Sequence, residues 1–484
     1  MRRTILVIIL LVGLGAVVGF NWGLPRLPVP EPSILFDING QEIQTLTPNN
    51  LRQVDLDEIS DYVEMAFIAT EDRNFYNHFG IDPKAVLRAT WVNIKNRRIT
   101  EGGSTITQQT AKNLYLSHER TVVRKIKELF YTLALERRYS KDEILTMYLN
   151  SIYFGQGATG IDAAARTYFG KPASDLNLAE SAILAGIPRR PSYYDPYRYP
   201  EHAKTRQQVI LSQMVELGFI TEKEKKAAAD EELRYKKTGA LRGDAPYFSR
   251  MVADYLVERY GAAVVYGGGL RVFSTLDLQM QRKAQEAYDT VMSEQNQEMQ
   301  AALVAVDPDN GHIRALIGGR DFTTAPFNRA VDSKRQPGSA FKPFIYSKAI
   351  DVGLTAADMI MCEPVTFPVP GSKDYTPTDY GDEGYHYRAF TLKEALMVSD
   401  NVVSVRLNDA VGPERTAEHA MKFGFASPIK PYLSLALGTS EVSPLEMASA
   451  YGVFANGGRL VKPVAVLKVT DSDGRVLETH KPQA

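Results

Sequence analysis

Residues 4–25, TILVIILLVGLGAVVGFNWGLP, carry no charge, and this stretch limits what the rest of the chain can be. As a helix rising about 1.5 Å per residue it would be about 33 Å long, enough to cross a hydrocarbon core of about 30 Å. Arg2 and Arg3 precede it, and Trp22 stands where an interfacial ring belongs. The sequence therefore predicts a single-pass anchor over residues 1–25 with a cytoplasmic N-terminus. A cleaved signal peptide is the competing reading, against which no small-x-small site precedes a polar mature start. Either way, the remaining residues are expected to lie outside the cytoplasmic membrane.

A chain of 484 residues is too long for one ordinary domain. Its 44 % apolar content supports real cores, and its net charge of −1 gives no general attraction to nucleic acid. One cysteine, Cys362, leaves no disulfide framework and no cysteine-based metal site in prospect. Seven scattered histidines show no H-x-x-H spacing, so no metal-centred chemistry is predicted.

The proline-rich LPRLPVPEP reads as a stiff spacer, and ILFDINGQEIQTL alternates around Asn39-Gly40 as a hairpin, giving a linker over residues 26–55. Helical signals dominate residues 56–220. Val122, Ile126, Leu129 and Leu133 recur at helical spacing, and Ser140 with Glu143 makes a capping box. Residues 221–298 are charged and mixed, as in a connecting region. A second hairpin around Asp309-Asn310-Gly311 then opens a final domain over residues 299–484.

In the helical region, TEDRNFYNHFGID places Glu71 and Asp72 at the end of an amphipathic helix, ahead of His78 and Gly80. EGGSTITQQTAKNLYL supplies hydroxyls, amides and Lys112, and RTVVRKIKELFY supplies Arg120, Arg124, Lys125 and Lys127 beside Glu128. Two separated acids and a basic cluster suit glycosyl transfer from a phosphorylated donor. One acid takes a proton from an acceptor hydroxyl while cations stabilise the departing diphosphate. Each signal alone is weak: Arg124 and Glu128 could be a solvated i,i+4 pair, and GGSTITQQ a polar loop.

The ordered blocks EDRNFYNHFG, GGSTITQQTAKN, RKIKE, KDEILTMYLN and ARTYFGK, however, closely resemble the peptidoglycan glycosyltransferase domain of class A (bifunctional) penicillin-binding proteins of the 1A type. The resemblance implies a mostly helical, lysozyme-like domain that polymerises lipid II. By position, Glu71 would deprotonate the acceptor sugar's 4-hydroxyl and Glu128 would be the second acid, near the diphosphate. Ser104, Gln108, Lys112, Arg120 and Lys127 would line the donor and acceptor subsites. An α-linked diphosphate giving a β-1,4 product inverts, so the carboxylates should stand further apart than the roughly 5 Å of a retaining pair. A magnesium ion at the diphosphate is compatible with this scheme, and no cofactor is required by it.

The final domain holds S-x-x-K twice, as Ser339/Lys342 in GSAFKP and Ser427/Lys430 in ASPIKP. On a helix this spacing turns serine and lysine to one face. Prolines at 428 and 431 disfavour a helix at the second pair, while Pro337-Gly338 is a plausible turn into a helix at the first. Pro343 is tolerable only if that helix has just begun. Ser399-Asp400-Asn401 is the only S-x-N in the chain. With QPGSAFKPFIY and LALGTSEVSPLEMASAYGVFANGG, it resembles the transpeptidase domain of the same family, an α+β, β-lactamase-like fold. The resemblance implies Ser339 as the acylated nucleophile and Lys342 as its proton acceptor, with Ser399 as relay and Asn401 on the substrate amide. Stem peptides and β-lactams are the implied ligands.

That family carries a third element, K-T-G, after S-x-N. Here Lys237-Thr238-Gly239 lies about a hundred residues before the serine, and nothing between Asn401 and Ala484 supplies the motif. The transpeptidase domain is therefore expected to be incomplete over these residues, with an exposed sheet edge and weak acylation. Removing one oxyanion donor alone costs about 10²–10³ in rate. The function expected is a membrane-anchored peptidoglycan synthase with extracytoplasmic domains, acting on lipid II and the growing glycan strand beside cell-wall assembly proteins. A non-catalytic scaffold and a lysozyme-like hydrolase are the competing readings; the basic cluster disfavours the hydrolase, which has no diphosphate to bind.

Overall fold

The computed structural model describes residues 24, 31–47, 52–95, 103–116, 121–236, 243–369, 371, 373–381 and 384–480. Residues 4–23 of the predicted anchor, Arg120 and the upstream Lys237-Thr238-Gly239 lie outside them. Among the described residues no helix is long and apolar enough to cross a membrane. The chain divides into two compact units. The first takes its residues from Met1–Ser274, Asp321–Pro326 and Lys468–Thr479; the second from Thr275–Arg320, Phe327–Leu467 and His480–Ala484.

Helices dominate the first unit because its sequence caps them one after another. Thr105 with Gln108, Ser140 with Glu143, Asn177 with Glu180 and Thr221 with Glu224 each close a capping box. Such a cap contributes about 1 kcal/mol by satisfying otherwise orphaned N–H groups. The helix Leu178–Gly186 is buried on every side, which its sequence LAESAILAG allows through small residues. Phe67, Phe75, Leu145, Tyr148, Phe154 and Leu184 fill the core around it.

The helix Val122–Arg138 forms where the spacing predicts one, but its apolar stripe is not its buried face. Its buried residues are Glu128, Thr132 and Leu135, whereas Val122 is 78 % and Ile126 50 % exposed. The apolar stripe at 122, 126, 129 and 133 thus does not mark the inward face over its first half. Turning Glu128 inward rotates those apolar residues out, and a periodicity count cannot see that a carboxylate has been given the core-facing position.

A five-stranded sheet completes this unit, in the order β2-β1-β3-β8-β9. β1 (Ser33–Phe36) and β2 (Glu42–Leu46) form the antiparallel hairpin expected at Asn39-Gly40. Asp37 fixes its turn by accepting the N–H groups of Asn39 and Gln41, both at 2.8 Å. β3 (Arg271–Ser274) runs parallel to β1, and β8 (Val466–Thr470) pairs antiparallel with β9 (Val476–Thr479). The charged stretch after residue 221 is folded, with helices Glu222–Asp230, Pro246–Tyr260 and Ala262–Gly267 leading into β3.

In the second unit β4 (Leu303–Val306) and β5 (Ile313–Ile317) form the other expected hairpin. Gly311 closes it at φ +74°, where a Cβ would stand 2.1 Å from the Lys462 carbonyl oxygen, so only glycine fits. Among the described residues this sheet has two strands, and every residue of β4 is part-exposed. A second pair joins β6 (Met359–Cys362) to β7 (Arg388–Thr391). Helices Lys342–Asp351, Asn401–Val411, Pro413–Met421 and Pro444–Ala455 enclose a core built on Phe341, Phe344, Val402, Leu407, Phe423 and Phe425.

Candidate active sites

The first unit separates the two adjacent acids of its opening motif. Asp72 is buried; it lies 2.9 Å from His78 Nε2 and accepts the Ile106 N–H at 3.0 Å, where the helix Ile106–Tyr115 begins. It ties two motifs together and is fully occupied in doing so. Glu71, one residue earlier on the last turn of the helix Asp61–Glu71, is only part-buried and accepts from Gln109 Nε2 at 2.8 Å.

Glu128 is 3 % exposed and held from its own helix, by Arg124 Nη1 at 2.6 Å and by Lys125 Nζ. Lys125 also reaches Ser104 Oγ at 3.3 Å, which brings Ser104 beside this cluster. A buried carboxylate is tolerated here because two cations satisfy it. Lys112 stands where the fields of both acids meet. Burial pulls its ammonium below the ordinary lysine range and the neighbouring Arg124 and Lys125 add to that, while Glu128 and Glu71 pull the other way.

One of the anticipated lining residues resolves differently. Gln108 is 7 % exposed and its side-chain oxygen takes the Thr105 N–H at 3.1 Å, so it caps a helix. Its neighbour Gln109, which the sequence reading passed over, is the amide that meets Glu71. Lys127 is on the exposed face of its helix, and Arg120 lies outside the described residues. Gln109, Lys112 and Asn113 line a cleft of about 440 Å³ together with Ser151, Arg189, Arg190 and Tyr193. Burial and the neighbouring Arg189 lower the pKa of Arg206, whose charge Glu71 favours. The signal for Arg189 and Arg190 is the proline-flanked pair in IPRRPSYYDP, unusual for a plain helix end.

In the second unit Ser339 is exposed on a single 3-10 turn, Gly338–Phe341, that runs into the helix Lys342–Asp351. Pro343 falls in that helix's first turn, the position where proline costs nothing. Lys342 is 1 % exposed. Its ammonium donates to the carbonyl oxygen of Ser399, to Ser399 Oγ at 3.0 Å and to Asn401 Oδ1 at 2.8 Å. Burial brings Lys342 down to about 8, against the opposing charges of Asp379 and Asp400. Ser399 has φ +59°, a backbone region that L-residues rarely adopt.

The nucleophile turn is pinned by residues the sequence reading took only as a block. Arg335 and Val442 form a bridge, and Tyr451 Oη donates to the Ala340 carbonyl at 2.6 Å. Gly438 packs so tightly that a Cβ on it would lie 2.2 Å from the Gly338 oxygen. The second S-x-x-K pair is not built this way. Ser427 donates to Glu446 Oε2 at 3.0 Å, and the Lys430 N–H goes to Ser440 Oγ at 3.0 Å.

A helical unit with two acids set among cations, and a second unit with a serine turn beside lysine, serine and asparagine, define an enzyme with a glycosyl-transferring and an acyl-transferring domain. Residues 39–215 match the transglycosylase family, and residues 301–484 match the penicillin-binding protein transpeptidase domain. Penicillin-binding protein 2D of Bacillus subtilis is 39 % identical over 95 % of this chain and 67 % of its own length. Penicillin-binding protein 1A of Aquifex aeolicus is 36 % identical over 94 % of this chain and 73 % of its own length. A crystal structure of penicillin-binding protein 1A from Haemophilus influenzae aligns with a TM-score of 0.50 at 25 % identity, over 95 % of this chain and 73 % of that one. The chain belongs to the class A penicillin-binding proteins, the bifunctional enzymes of peptidoglycan synthesis.

Proposed function

We propose that the helical domain polymerises lipid II into β-1,4 glycan strands by inverting transfer, releasing undecaprenyl diphosphate. Glu71 is the base that takes the proton of the acceptor 4-hydroxyl, with Gln109 orienting it. Glu128, through Arg124 and Lys125, arranges the cations that meet the diphosphate, and Ser104, Lys112, Arg120 and Lys127 contribute to the same subsites. The observation that carries this reading is the contrast between two carboxylates: Glu71 is part-buried and met by Gln109 Nε2 at 2.8 Å, while Glu128 is buried between Arg124 and Lys125. A magnesium ion at the diphosphate is compatible with it.

Membrane attachment through residues 1–25, N-terminus inside, belongs to the same proposal, because it keeps the site beside a lipid-linked substrate. The exposed apolar side chains Phe79, Leu87, Trp91, Val122, Val123 and Ile126 support a bilayer-facing surface on this domain. In the second domain Ser339 is acylated by the stem peptide or a β-lactam, Lys342 takes its proton, Ser399 relays it and Asn401 holds the substrate amide.

The test is Glu71→Gln. Polymer formation from lipid II should fall by about 10³ or more while labelling by a fluorescent penicillin is unchanged. A variant that polymerises at the wild-type rate would overturn the assignment and favour a scaffold.

A further inference from the structure

Four side chains that the proposed transpeptidation does not use converge beside its Ser399-Asp400-Asn401 turn. Cys362 ends β6 and is fully buried; Asp379 and His386 lie on the segment that joins β6 to β7; Asp400 caps the helix Asn401–Val411. One donor atom from each lies within 4.8 Å of all the others. Cys362 Sγ is 3.0 Å from Asp379 Oδ2 and 3.5 Å from His386 Nδ1. His386 Nδ1 is in turn 3.2 Å from Asp379 Oδ2 and 3.0 Å from Asp400 Oδ2. Tetrahedral zinc, with bonds of about 2.0–2.3 Å, needs donor–donor edges of about 3.3–3.8 Å. The observed spacings bracket that range.

The orientation of the donors is the second, independent sign. Each carboxylate has one oxygen fixed by a backbone N–H and the other turned toward the common centre. Asp379 Oδ1 takes the Asn401 N–H at 2.5 Å, and Asp400 Oδ1 takes the Val403 N–H at 2.7 Å. Asp400 Oδ2, on a residue 1 % exposed, meets only other members of the cluster, facing His386 Nδ1 at 3.0 Å. A buried carboxylate oxygen is costly unless a positive charge meets it. The Cys362 sulfur also accepts the His386 N–H at 3.3 Å, which orients it as outer partners orient a metal ligand.

We propose that Cys362, Asp379, His386 and Asp400 form a zinc site that anchors the Ser399-Asp400-Asn401 turn. A thiolate with an imidazole selects a borderline-soft dication; calcium and magnesium take oxygen donors. On binding, the Cys362 thiol proton passes to solvent, and one thiolate, two carboxylates and a neutral imidazole surround Zn²⁺, with no change of oxidation state. The ion clips the long segment 363–387 to the turn that Lys342 holds. It also braces Ser399 in its unfavourable backbone conformation, through Asp400 directly and through Asp379, whose other oxygen carries the Asn401 N–H. Zinc is thus a positioning element here and touches no substrate.

The full chain in detergent, stripped with a chelator and dialysed against zinc, should retain about one zinc per chain by mass spectrometry. Cobalt in its place should show a thiolate-to-cobalt charge-transfer band. Cys362→Ser should remove that band and Asp379→Asn should lower the zinc retained, each with an unchanged far-ultraviolet circular dichroism spectrum, and zinc should raise the melting temperature of the wild type but not of Cys362→Ser. Retention below about a tenth of an equivalent by the folded wild type, a cobalt spectrum without the thiolate band, or a zinc content in both variants equal to that of the wild type would overturn the proposal.

Discussion

Glu446 gives a prediction whose size can be worked through. Its carboxylate accepts from Lys334 Nζ at 2.6 Å, Ser443 N at 2.7 Å, Ser427 N at 2.8 Å, Ser427 Oγ at 3.0 Å and Ala426 N at 3.1 Å. Burial opposes the charge, yet these donors outweigh it and hold the carboxyl down to about 2, against 4.5 for a free glutamate. A drop of about 2.5 units at about 1.36 kcal/mol each sets a ceiling of about 3.4 kcal/mol. Lys334 is 43 % exposed, and solvent screening brings the contribution to about 1–2 kcal/mol. The folded pKa lies below the unfolded one, so the stabilisation is complete above about pH 5 and is lost as pH falls from about 4.5 toward 2. By pH 4 about a quarter of it is gone. Glu446→Gln should therefore lower the melting transition of the second unit, the one that shifts on adding a penicillin, by about 2–8 °C at pH 7. Calorimetry at pH 7 and pH 4 should show the gap to wild type narrowing by about a quarter. An equally stable variant at pH 7, or a gap that widens at pH 4, would refute the reasoning.

Gln109→Leu removes the donor to Glu71 and should cut lipid II polymerisation by about tenfold to a hundredfold in kcat with little change in KM, since a charge-assisted hydrogen bond is worth about 1.5–3 kcal/mol. Gln108→Leu should instead lower the melting temperature and spare kcat, because its amide caps a helix. The acylation rate of Ser339 should rise as pH rises through about 8, where Lys342 loses its proton; a rate flat between pH 7 and 9 in stopped-flow penicillin binding would exclude Lys342 as the acceptor. Gly438→Ala, whose Cβ would meet the Gly338 oxygen at 2.2 Å, should abolish penicillin labelling while polymerisation continues.

What the sequence made legible was whatever is carried by neighbouring residues. The hairpins at Asn39-Gly40 and Asp309-Asn310-Gly311, the Ser140–Glu143 cap and the Ser339–Lys342 spacing are all local, and local chemistry fixes them. Its failures share a different cause. Helical periodicity located the helix Val122–Arg138 but not its inward face, which carries Glu128. Choosing between Gln108 and Gln109 depends on about 100° of helix rotation, which only the packed structure settles. The four donors around Asp400 come from positions 362, 379, 386 and 400, at no spacing a metal motif would suggest. Cysteine and histidine counts argue against a metal only when ligands are expected close together in sequence. In this fold the β6–β7 pairing sets Cys362 opposite Arg388, which folds the intervening segment back so that His386 reaches Cys362. The same residues that hold Ser399 for Lys342 therefore bring together a donor set that one-dimensional reading has no means of assembling.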